Sequence, residues 1–286
     1  QGITIDVAYR SMNLLNGRRL IIADAPGHEQ YTRNMAVAAS RAHIALVLVD
    51  ATRGIRTQTL RHLTICSLMG VSSIAVVVNK LDGVGYSQDV FEQVKYELKE
   101  TIERLEIVDI QVIPLSALAG DNVVFGSENM PWYQGPTLLE YIQEWDLARA
   151  SGNHPRLGVQ MISRAENFRG VAGTVNGGKF SVGDEVKVLP GAERARVARL
   201  VSFDGEMNSA VDGKAIAMVL EPEVDATRGD VIELASSSTT PADRFAANVV
   251  WLGEQDLIHS KSYLLIAGST QVPAIITSIR HVLNIN

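Results

Sequence analysis

The sequence predicts a doubly wound α/β domain followed by β-rich domains. Strand-length apolar runs alternate with longer helical stretches in the first half of the chain, and short β-rich runs separated by glycines follow from Ser151 onward. The 286 residues are enough for two domains and part of a third. We therefore place an α/β domain at 1–150, a small antiparallel β-barrel at 154–236 and the start of a second β-barrel at 243–286.

The predicted strands of the first domain are apolar along their whole length, which is typical of a parallel sheet covered on both faces. They are Arg19–Ala23, Ile44–Val49, Ile74–Val78 and Ile110–Leu115. The helices predicted between and after them are Gln30–Arg41, Gln58–Met69, Gln88–Leu105 and a closing helix at Pro136–Ala150. This alternation of strands and helices indicates a doubly wound sheet.

The second half contains six strand-length runs with turn signals between them, which fit a small antiparallel barrel. They are Arg156–Ser163, Gly170–Val175, Glu185–Leu189, Arg194–Val201, Ala215–Leu220 and Asp230–Leu234. A linker rich in serine and threonine, Ala235–Asp243, precedes three runs that we interpret as the opening strands of another β domain. These are Ala246–Leu252, Ser262–Ile266 and Val272–Ile279.

Composition narrows the class of protein. The formal net charge of −6 argues against bulk electrostatic binding to nucleic acid or to an anionic membrane. A membrane span needs about 18 consecutive apolar residues, and the apolar runs end well before that at Asp50 and Asn79. The lone Cys66 excludes an intrachain disulfide framework and suits a reducing compartment. We predict a cytoplasmic protein that binds neither membrane nor nucleic acid.

A candidate phosphate-side motif follows the first predicted strand and runs from Asp24 to His28 as Asp-Ala-Pro-Gly-His. A carboxylate at the end of a strand can reach a magnesium ion through water, and Gly27 lets its backbone N–H approach a terminal phosphate. Taken alone, Asp-x-x-Gly fits an ordinary Asx or Pro-Gly turn better than a phosphate site. The functional interpretation therefore depends on the other motifs.

A candidate base-binding motif, Asn79-Lys80-Leu81-Asp82, follows the predicted strand Ile74–Val78. It lies at the edge where doubly wound sheets bind ligands. Guanine offers N1–H and an exocyclic amine as donors, and the Asp82 carboxylate can accept from both. Asn79 would brace the surrounding loops, and the aliphatic stem of Lys80 could cover the ring. The alternative is a solvated polar turn.

Two weaker signals complete the set. Ser116, Ala117 and Leu118 follow the last predicted strand, where small residues let backbone N–H groups meet the guanine O6, although an ordinary exit from a strand would look the same. Near the amino end, the Thr4 hydroxyl can ligate magnesium while its N–H meets a γ-phosphate. The alternative for Thr4 is a β-branched strand residue.

The order of these elements, together with Asn34 and Met35, resembles the translational GTPases typified by elongation factor Tu. Three stretches of the second half, Arg169–Val175, Val182–Asp184 and Arg228–Asp230, are similar to the second-domain barrel of that superfamily. The resemblance implies a P-loop-type GTPase domain that binds GTP or GDP with magnesium.

Roles for individual residues follow from the same resemblance. His28 would orient the attacking water, with Ile3 helping to form an apolar gate beside it. Thr4 would ligate magnesium directly and Asp24 through water.

Three stretches resemble a narrower group, the GTPase subunits of bacterial two-subunit sulfate adenylyltransferases. They are Gln1–Arg10, His28–Met35 and Gly120–Pro136. Elongation factor 1-alpha and the release-factor GTPases tend to have Arg-Asp-Phe in place of Glu29–Tyr31, and they usually insert a long segment after the position of Asp50. These translational GTPases are the alternative assignment, and a non-hydrolysing scaffold is a third.

The sulfate resemblance implies a smaller catalytic partner that binds ATP and sulfate and forms adenosine 5′-phosphosulfate and pyrophosphate. GTP hydrolysis by this chain would drive that reaction, and an adenylylsulfate kinase could be fused or associated. The phosphate-binding motif G-x-x-x-x-G-K-[ST] does not occur in the sequence. In the superfamily it precedes the position of Gly2, so we expect the first strand and phosphate loop to lie upstream of Gln1.

Overall fold

The structure is a computed structural model that describes residues 5–71, 73–105, 109–145, 154–165 and 168–282. The described residues divide into two compact units, one of residues 5–145 with Val282 and one of residues 154–281. The division of the second unit into a barrel at 154–236 and a further domain at 243–286 stays a prediction. None of the described helices is long and apolar enough to cross a membrane.

The first unit contains five strands and four α-helices. The strands are β1 (Ala8–Asn13), β2 (Arg19–Asp24), β3 (Ile44–Asp50), β4 (Ser73–Asn79) and β5 (Asp109–Pro114). The helices are α1 (Thr32–Ala39), α2 (Thr57–Leu68), α3 (Gln88–Leu105) and α4 (Leu138–Glu144), and short 3-10 helices lie at Glu29–Tyr31 and Leu81–Val84.

A parallel sheet in the order β3-β4-β5 positions the predicted base-binding loops. The central strand β4 is buried from Ser73 to Val78, as its uninterrupted apolar run predicts. Each fully buried aliphatic side chain of this strand contributes roughly 1.5–3 kcal/mol to stability. Because Asp50 of β3 lies opposite Asn79 of β4, the loops after these strands begin side by side.

The helix α3 is amphipathic, and its buried residues recur at every third or fourth position, which is the helical period. They are Phe91, Val94, Leu98 and Thr101. The predicted helix at Gln88–Leu105 is confirmed with the same bounds.

The prediction that Arg19–Ala23 belongs to the buried parallel sheet is wrong. This segment forms β2, which pairs antiparallel with β1, and Ile21 is 62% exposed. The reason is the turn before it: Asn16-Gly17 is a strong hairpin signal, and Gly17 adopts a φ of +79° and donates from N–H to the Leu14 carbonyl at 3.0 Å. The strand β1 was not predicted at all.

Of the predicted closing helix at Pro136–Ala150, the described residues form α4 at Leu138–Glu144, and residues 146–150 lie outside the described residues. Thr137 lies before α4 and its hydroxyl accepts from the Glu140 N–H, while the Glu140 carboxylate accepts from the Thr137 N–H. This reciprocal capping fixes the first helical residue at Leu138. The helix ends before Trp145, which is extended with ψ of 127°.

The second unit is all β. Its strands are β6 (Arg156–Ala165), β7 (Phe168–Asn176), β8 (Lys179–Ser181), β9 (Glu185–Leu189), β10 (Glu193–Ser202), β11 (Gly205–Met207), β12 (Ser209–Val211), β13 (Ala215–Glu221), β14 (Val231–Leu234), β15 (Ser262–Ala267) and β16 (Thr270–Ile275). Six of them close into an antiparallel ring in the order β10-β13-β7-β6-β14-β9, because β9 pairs with both β14 and β10.

The ring confirms the predicted small antiparallel barrel, and its six strands correspond to the six predicted runs. Side chains that alternate along the strands fill its interior, among them Leu157, Val175, Phe180, Met218 and Ile232. Beyond the barrel, β15 and β16 pair as a hairpin. The predicted strand at Ala246–Leu252 is wrong, since this segment has no regular secondary structure.

Candidate functional site

The loop after β4 begins with an unusual backbone conformation. Lys80 adopts the left-handed region with φ of 65°, which is uncommon for a residue other than glycine. The side-chain oxygen of Asn79 accepts from the Lys80 N–H at 2.7 Å and from the Ala117 N–H at 3.0 Å. The Asn79 side chain therefore joins the loop after β4 to the loop after β5. The Ala117 N–H, which we expected to face guanine O6, is a donor to Asn79 here.

The carboxylate of Asp82 is oriented by the second loop. The Ser116 hydroxyl donates to Asp82 Oδ1 at 2.6 Å, and Ser116 is completely buried whereas Asp82 is only partly so. A backbone hydrogen bond from Leu81 N–H to the Leu115 carbonyl, at 3.3 Å, ties the same two loops together. Asp82 is thus held in one orientation at the rim of the sheet, as recognition of two neighbouring donors requires.

Lys80 lies beside a carboxylate that the sequence interpretation did not include. Its ammonium Nζ is 2.7 Å from Asp50 Oδ2, and the N–H and hydroxyl of Thr52 donate to Asp50 Oδ1 at 3.0 and 2.7 Å. The hydrogen bond from Lys80, followed by that from Thr52, lowers the pKa of Asp50 from 3.8 to about 2. The ion pair is therefore intact above the ordinary pKa of 3.8 and is lost as the pH falls through about 2.

We expect the substitution Asp50→Asn to weaken guanine nucleotide binding by about two- to fivefold, because exposed ion pairs contribute up to about 1 kcal/mol. The change frees the Lys80 ammonium from its partner. Titration of the complete gene product with a fluorescent GDP analogue measures the effect. Asp204→Asn, which breaks an ion pair with Lys214 in the other unit, is the matched control. Equal affinity of Asp50→Asn and wild type would refute a role for this ion pair in the base site.

The loop after β2 carries the predicted phosphate-side residues. Asp24 and His28 are exposed, and Pro26 is buried between them. A Cβ built on Gly27 would meet His62 Cε1 at 3.5 Å, an ordinary contact, so local packing does not require glycine there. This is consistent with a position that glycine occupies for close approach of a ligand.

His62 of α2 contacts the loop after β2 at the backbone of Gly27. Burial lowers the pKa of His62, and a hydrogen bond with the Gly27 backbone opposes that change only in part. At neutral pH the imidazole is therefore uncharged. No sequence motif identifies His62 or Asp50 as a site residue. His62 lies in α2, and Asp50 is the last residue of β3.

The structure brings some predicted site residues together and separates others. Direct hydrogen bonds join Asp82 to Ser116 and Asn79 to Ala117. Leu118 lies at the tip of the same loop and is 90% exposed. Asp24 ends β2, and Gly27 and His28 lie in the loop after it; the sheet of β2 is separate from the parallel sheet. The predicted residues Ile3 and Thr4 lie outside the described residues.

The candidate metal ligand among the described residues is a single carboxylate, Asp24. No group of three or more His, Cys, Asp or Glu side chains that could hold a metal occurs in the part of the chain that the structure describes. Asp24 offers an exposed carboxylate at the end of β2. Magnesium is commonly bound by one or two carboxylates together with substrate phosphates and water, so this donor set fits magnesium carried by a nucleotide.

Comparison with curated proteins gives matches that cover the whole of this chain. The chain is 46% identical over 291 residues to "Sulfate adenylyltransferase subunit 1" of Aliivibrio fischeri (strain MJ11), covering 100% of this chain and 60% of the relative. It is 44% identical to the protein of the same name from Salmonella paratyphi C (strain RKS4594), with the same coverage. "Bifunctional enzyme NodQ" of Rhizobium sp. (strain BR816) is 42% identical, and the chain covers 45% of it. The chain thus spans about 60% of the length of the sulfate adenylyltransferase relatives.

Solved structures give a more distant match. Translation elongation factor SelB from Methanococcus maripaludis, in complex with the GTP analogue GppNHp, is 24% identical with a TM-score of 0.45, covering 95% of this chain and 59% of that one. Among family descriptions, "Elongation factor Tu GTP binding domain" matches residues 1–147, slightly more than half of the 286 residues. The chain therefore belongs to the elongation factor Tu GTP-binding-domain family.

Proposed function

We propose that this chain binds and hydrolyses GTP as part of the GTPase subunit of a sulfate adenylyltransferase. The observation that carries the nucleotide assignment is the Asp82 carboxylate held at 2.6 Å by the buried Ser116 hydroxyl, in a loop braced by Asn79. A fixed carboxylate at the carboxyl end of a parallel sheet matches the two adjacent donors of guanine. The sulfate assignment rests on the 42–46% identity with sulfate adenylyltransferase subunits 1 over the whole chain.

The hydrolytic step that we propose is attack of water on the γ-phosphate of GTP. Such reactions depend on positioning and on charge stabilisation, with little covalent participation by the protein. In this proposal His28 orients the water, as the family resemblance implies, and its exposed side chain leaves it accessible to a bound nucleotide. Its backbone carbonyl accepts from the Tyr31 N–H at 2.9 Å, which fixes the start of the following 3-10 helix.

We propose that Asp24 contacts magnesium through water, with Thr4 as a direct ligand. The metal, when bound with the nucleotide, neutralises charge on the phosphates. Gly27 would present its N–H to the terminal phosphate, in a position where local packing tolerates a larger side chain. Ile3 remains proposed as part of an apolar gate beside His28.

The proposed partner is a smaller catalytic subunit that binds ATP and sulfate, because the relatives' name "subunit 1" implies a second subunit. Hydrolysis of GTP on this chain would drive formation of adenosine 5′-phosphosulfate and pyrophosphate on that partner. A fused or associated adenylylsulfate kinase and a cytoplasmic location stay predictions.

The test measures pyrophosphate release from ATP plus sulfate by the complete gene product with its catalytic partner. We expect GTP to raise the rate severalfold and a non-hydrolysable GTP analogue to give no such increase. His28→Ala should keep GTP binding but slow hydrolysis by about 10²-fold, because an unpositioned water reacts poorly. Absence of any GTP effect in the wild-type complex would rule out the sulfate assignment, and a GTP effect that survives His28→Ala would remove His28 from the mechanism.

A further inference from the structure

A tyrosine just beyond the base-binding motif is held in a strained backbone conformation. Tyr86 has φ of 58°, in the left-handed region that non-glycine residues rarely adopt. Its N–H donates to the Leu81 carbonyl at 2.7 Å, which closes the turn containing Asp82. The indole N–H of Trp132 donates to the Tyr86 carbonyl at 3.1 Å. These bonds fix the direction of the Tyr86 side chain, because strained residues persist only when their surroundings hold them.

The Tyr86 hydroxyl reaches a carboxylate in the segment after β5. It donates to Asp121 Oδ2 at 2.9 Å, while the Ser127 hydroxyl donates to Asp121 Oδ1 at 2.7 Å. The hydrogen bond from Ser127, with a further contribution from Tyr86, lowers the pKa of Asp121, and the Asp121 hydrogen bond raises the pKa of Tyr86. At neutral pH the pair is therefore a neutral phenol donating to an ionised carboxylate, the stronger form of such a bond.

The backbone of Asp121 leads back to the base site. Its carbonyl accepts from the Ser116 N–H at 3.2 Å, and the Ser116 hydroxyl holds Asp82 Oδ1. The contacts therefore form a closed ring that runs from Asp82 to Ser116, to Asp121, to Tyr86, and through the Leu81 carbonyl back to Asp82. The ring holds the Asp82 carboxylate through the Ser116 hydroxyl and holds the backbone beside it through the Leu81 carbonyl, so both the side chain and the turn that carries it are fixed.

We propose that Tyr86 and Asp121 are positioning residues that fix the Asp82 carboxylate for recognition of the guanine exocyclic amine. Neither residue touches the base; each acts through Asp82 or Ser116. The inference rests on the proposed GTP-binding function and adds to it the residues that set base selectivity. It also gives a role to the Gly120–Pro136 segment, which is otherwise only a mark of family resemblance.

Inosine triphosphate distinguishes positioning from simple stabilisation of the loops. Hypoxanthine keeps the N1–H of guanine but lacks the exocyclic amine, so a correctly oriented Asp82 makes one hydrogen bond with it in place of two. Loosening of the whole site would weaken GTP and inosine triphosphate equally. Misorientation of the carboxylate weakens GTP more, since the second hydrogen bond depends on its direction.

The experiment compares wild type, Tyr86→Phe and Asp121→Asn in the complete gene product by competition binding of GTP and inosine triphosphate. We expect Tyr86→Phe to weaken GTP binding about tenfold, consistent with loss of a bond to a charged group, and to lower the preference for GTP over inosine triphosphate at least threefold. Tyr96→Phe, at an exposed tyrosine of α3, is the matched control and should change neither quantity.

Asp121→Asn should show the same loss of preference, and the double variant should be little worse than either single one, because both residues act within one ring. Equal weakening of both nucleotides, or an unchanged preference, would overturn the proposal while leaving GTP binding intact. Wild-type protein without preference for GTP would contradict the proposed function itself, and this inference with it.

Discussion

Replacement of Asp82 by asparagine should convert a preference for GTP into a preference for xanthosine triphosphate. The carboxylate only accepts hydrogen bonds, whereas the NH2 group of the asparagine side chain donates them. Guanine carries a donor amine where xanthine carries an acceptor oxygen. The substitution therefore removes an acceptor from the guanine complex and supplies a donor to the xanthine complex.

The contact with Ser116 determines the orientation that an asparagine side chain would adopt at position 82. The Ser116 hydroxyl donates to Asp82 Oδ1 at 2.6 Å, so an asparagine would keep its side-chain oxygen at that position and direct its NH2 group toward the base. A buried hydrogen bond to a charged group contributes about 1.5–3 kcal/mol. A site that loses its acceptor and gains a misplaced donor should change the ratio of the two affinities by about 10³-fold or more.

Competition binding of GTP and xanthosine triphosphate to the complete gene product measures the ratio. Asp89→Asn is the matched control, because Asp89 is an exposed carboxylate in the first turn of α3. That variant should retain the wild-type ratio. An Asp82→Asn protein that still prefers GTP would show that another group recognises the base.

The sequence predicted the base site because its residues follow buried strands. An apolar run such as Ile74–Val78 marks a central parallel strand, and the carboxyl ends of parallel strands share one edge, so Asp82 and Ser116 could be expected to meet. Asp50, Tyr86 and Asp121 could not be found in this way. Their contacts join residues 30 or more positions apart, at Lys80–Asp50 and Tyr86–Asp121, and depend on loop conformations that no local pattern encodes.

The missing strand β1 and the wrongly predicted strand at Ala246–Leu252 have different physical causes. The strand β1 is exposed along its length and mixes polar with apolar residues, so it lacks the alternation that marks a half-buried strand. Ala246–Leu252 is apolar enough to suggest a strand, but β structure depends on a partner, and this segment pairs with none of the described strands. The short α4 was predictable, since Thr137-x-x-Glu140 is a capping-box pattern in the sequence itself.

The substitution Lys187→Met should destabilise the barrel by about 3–5 kcal/mol, the usual result of removing one partner from a buried ion pair. Glu233 of β14 lies opposite Lys187 of β9 in the strand register, and its side chain is 1% exposed. The Lys187 ammonium is 3.2 Å from Glu233 and donates to the Ser237 carbonyl at 2.7 Å. Methionine leaves the buried carboxylate with the half-exposed Arg156 at 3.6 Å as its cationic neighbour.

Native-state hydrogen exchange of barrel amides in the complete gene product measures this loss locally. Lys214→Met, which removes the partner of the exposed Asp204, is the matched control and should cost less than about 1 kcal/mol. The double variant Lys187→Met with Glu233→Leu should recover most of the stability, because no charge is then buried without a partner. A double variant as unstable as Lys187→Met would show that packing, and not the unpaired charge, causes the loss.

The pH dependence of the stability loss distinguishes an unpaired buried charge from a packing defect. Burial alone would raise the pKa of Glu233, but the neighbouring Thr239, Lys187 and Ser237 outweigh it and lower the pKa below 4.5. In the wild type this contribution to stability is complete above pH 4.5 and is lost as the pH falls through the lower folded value. Without Lys187, the pKa of Glu233 rises relative to the wild type, because a positive charge that lowers it is lost, so protonation relieves the buried charge at a higher pH. The difference in stability between Lys187→Met and wild type should therefore shrink as the pH is lowered from neutrality, whereas a packing defect would leave it constant.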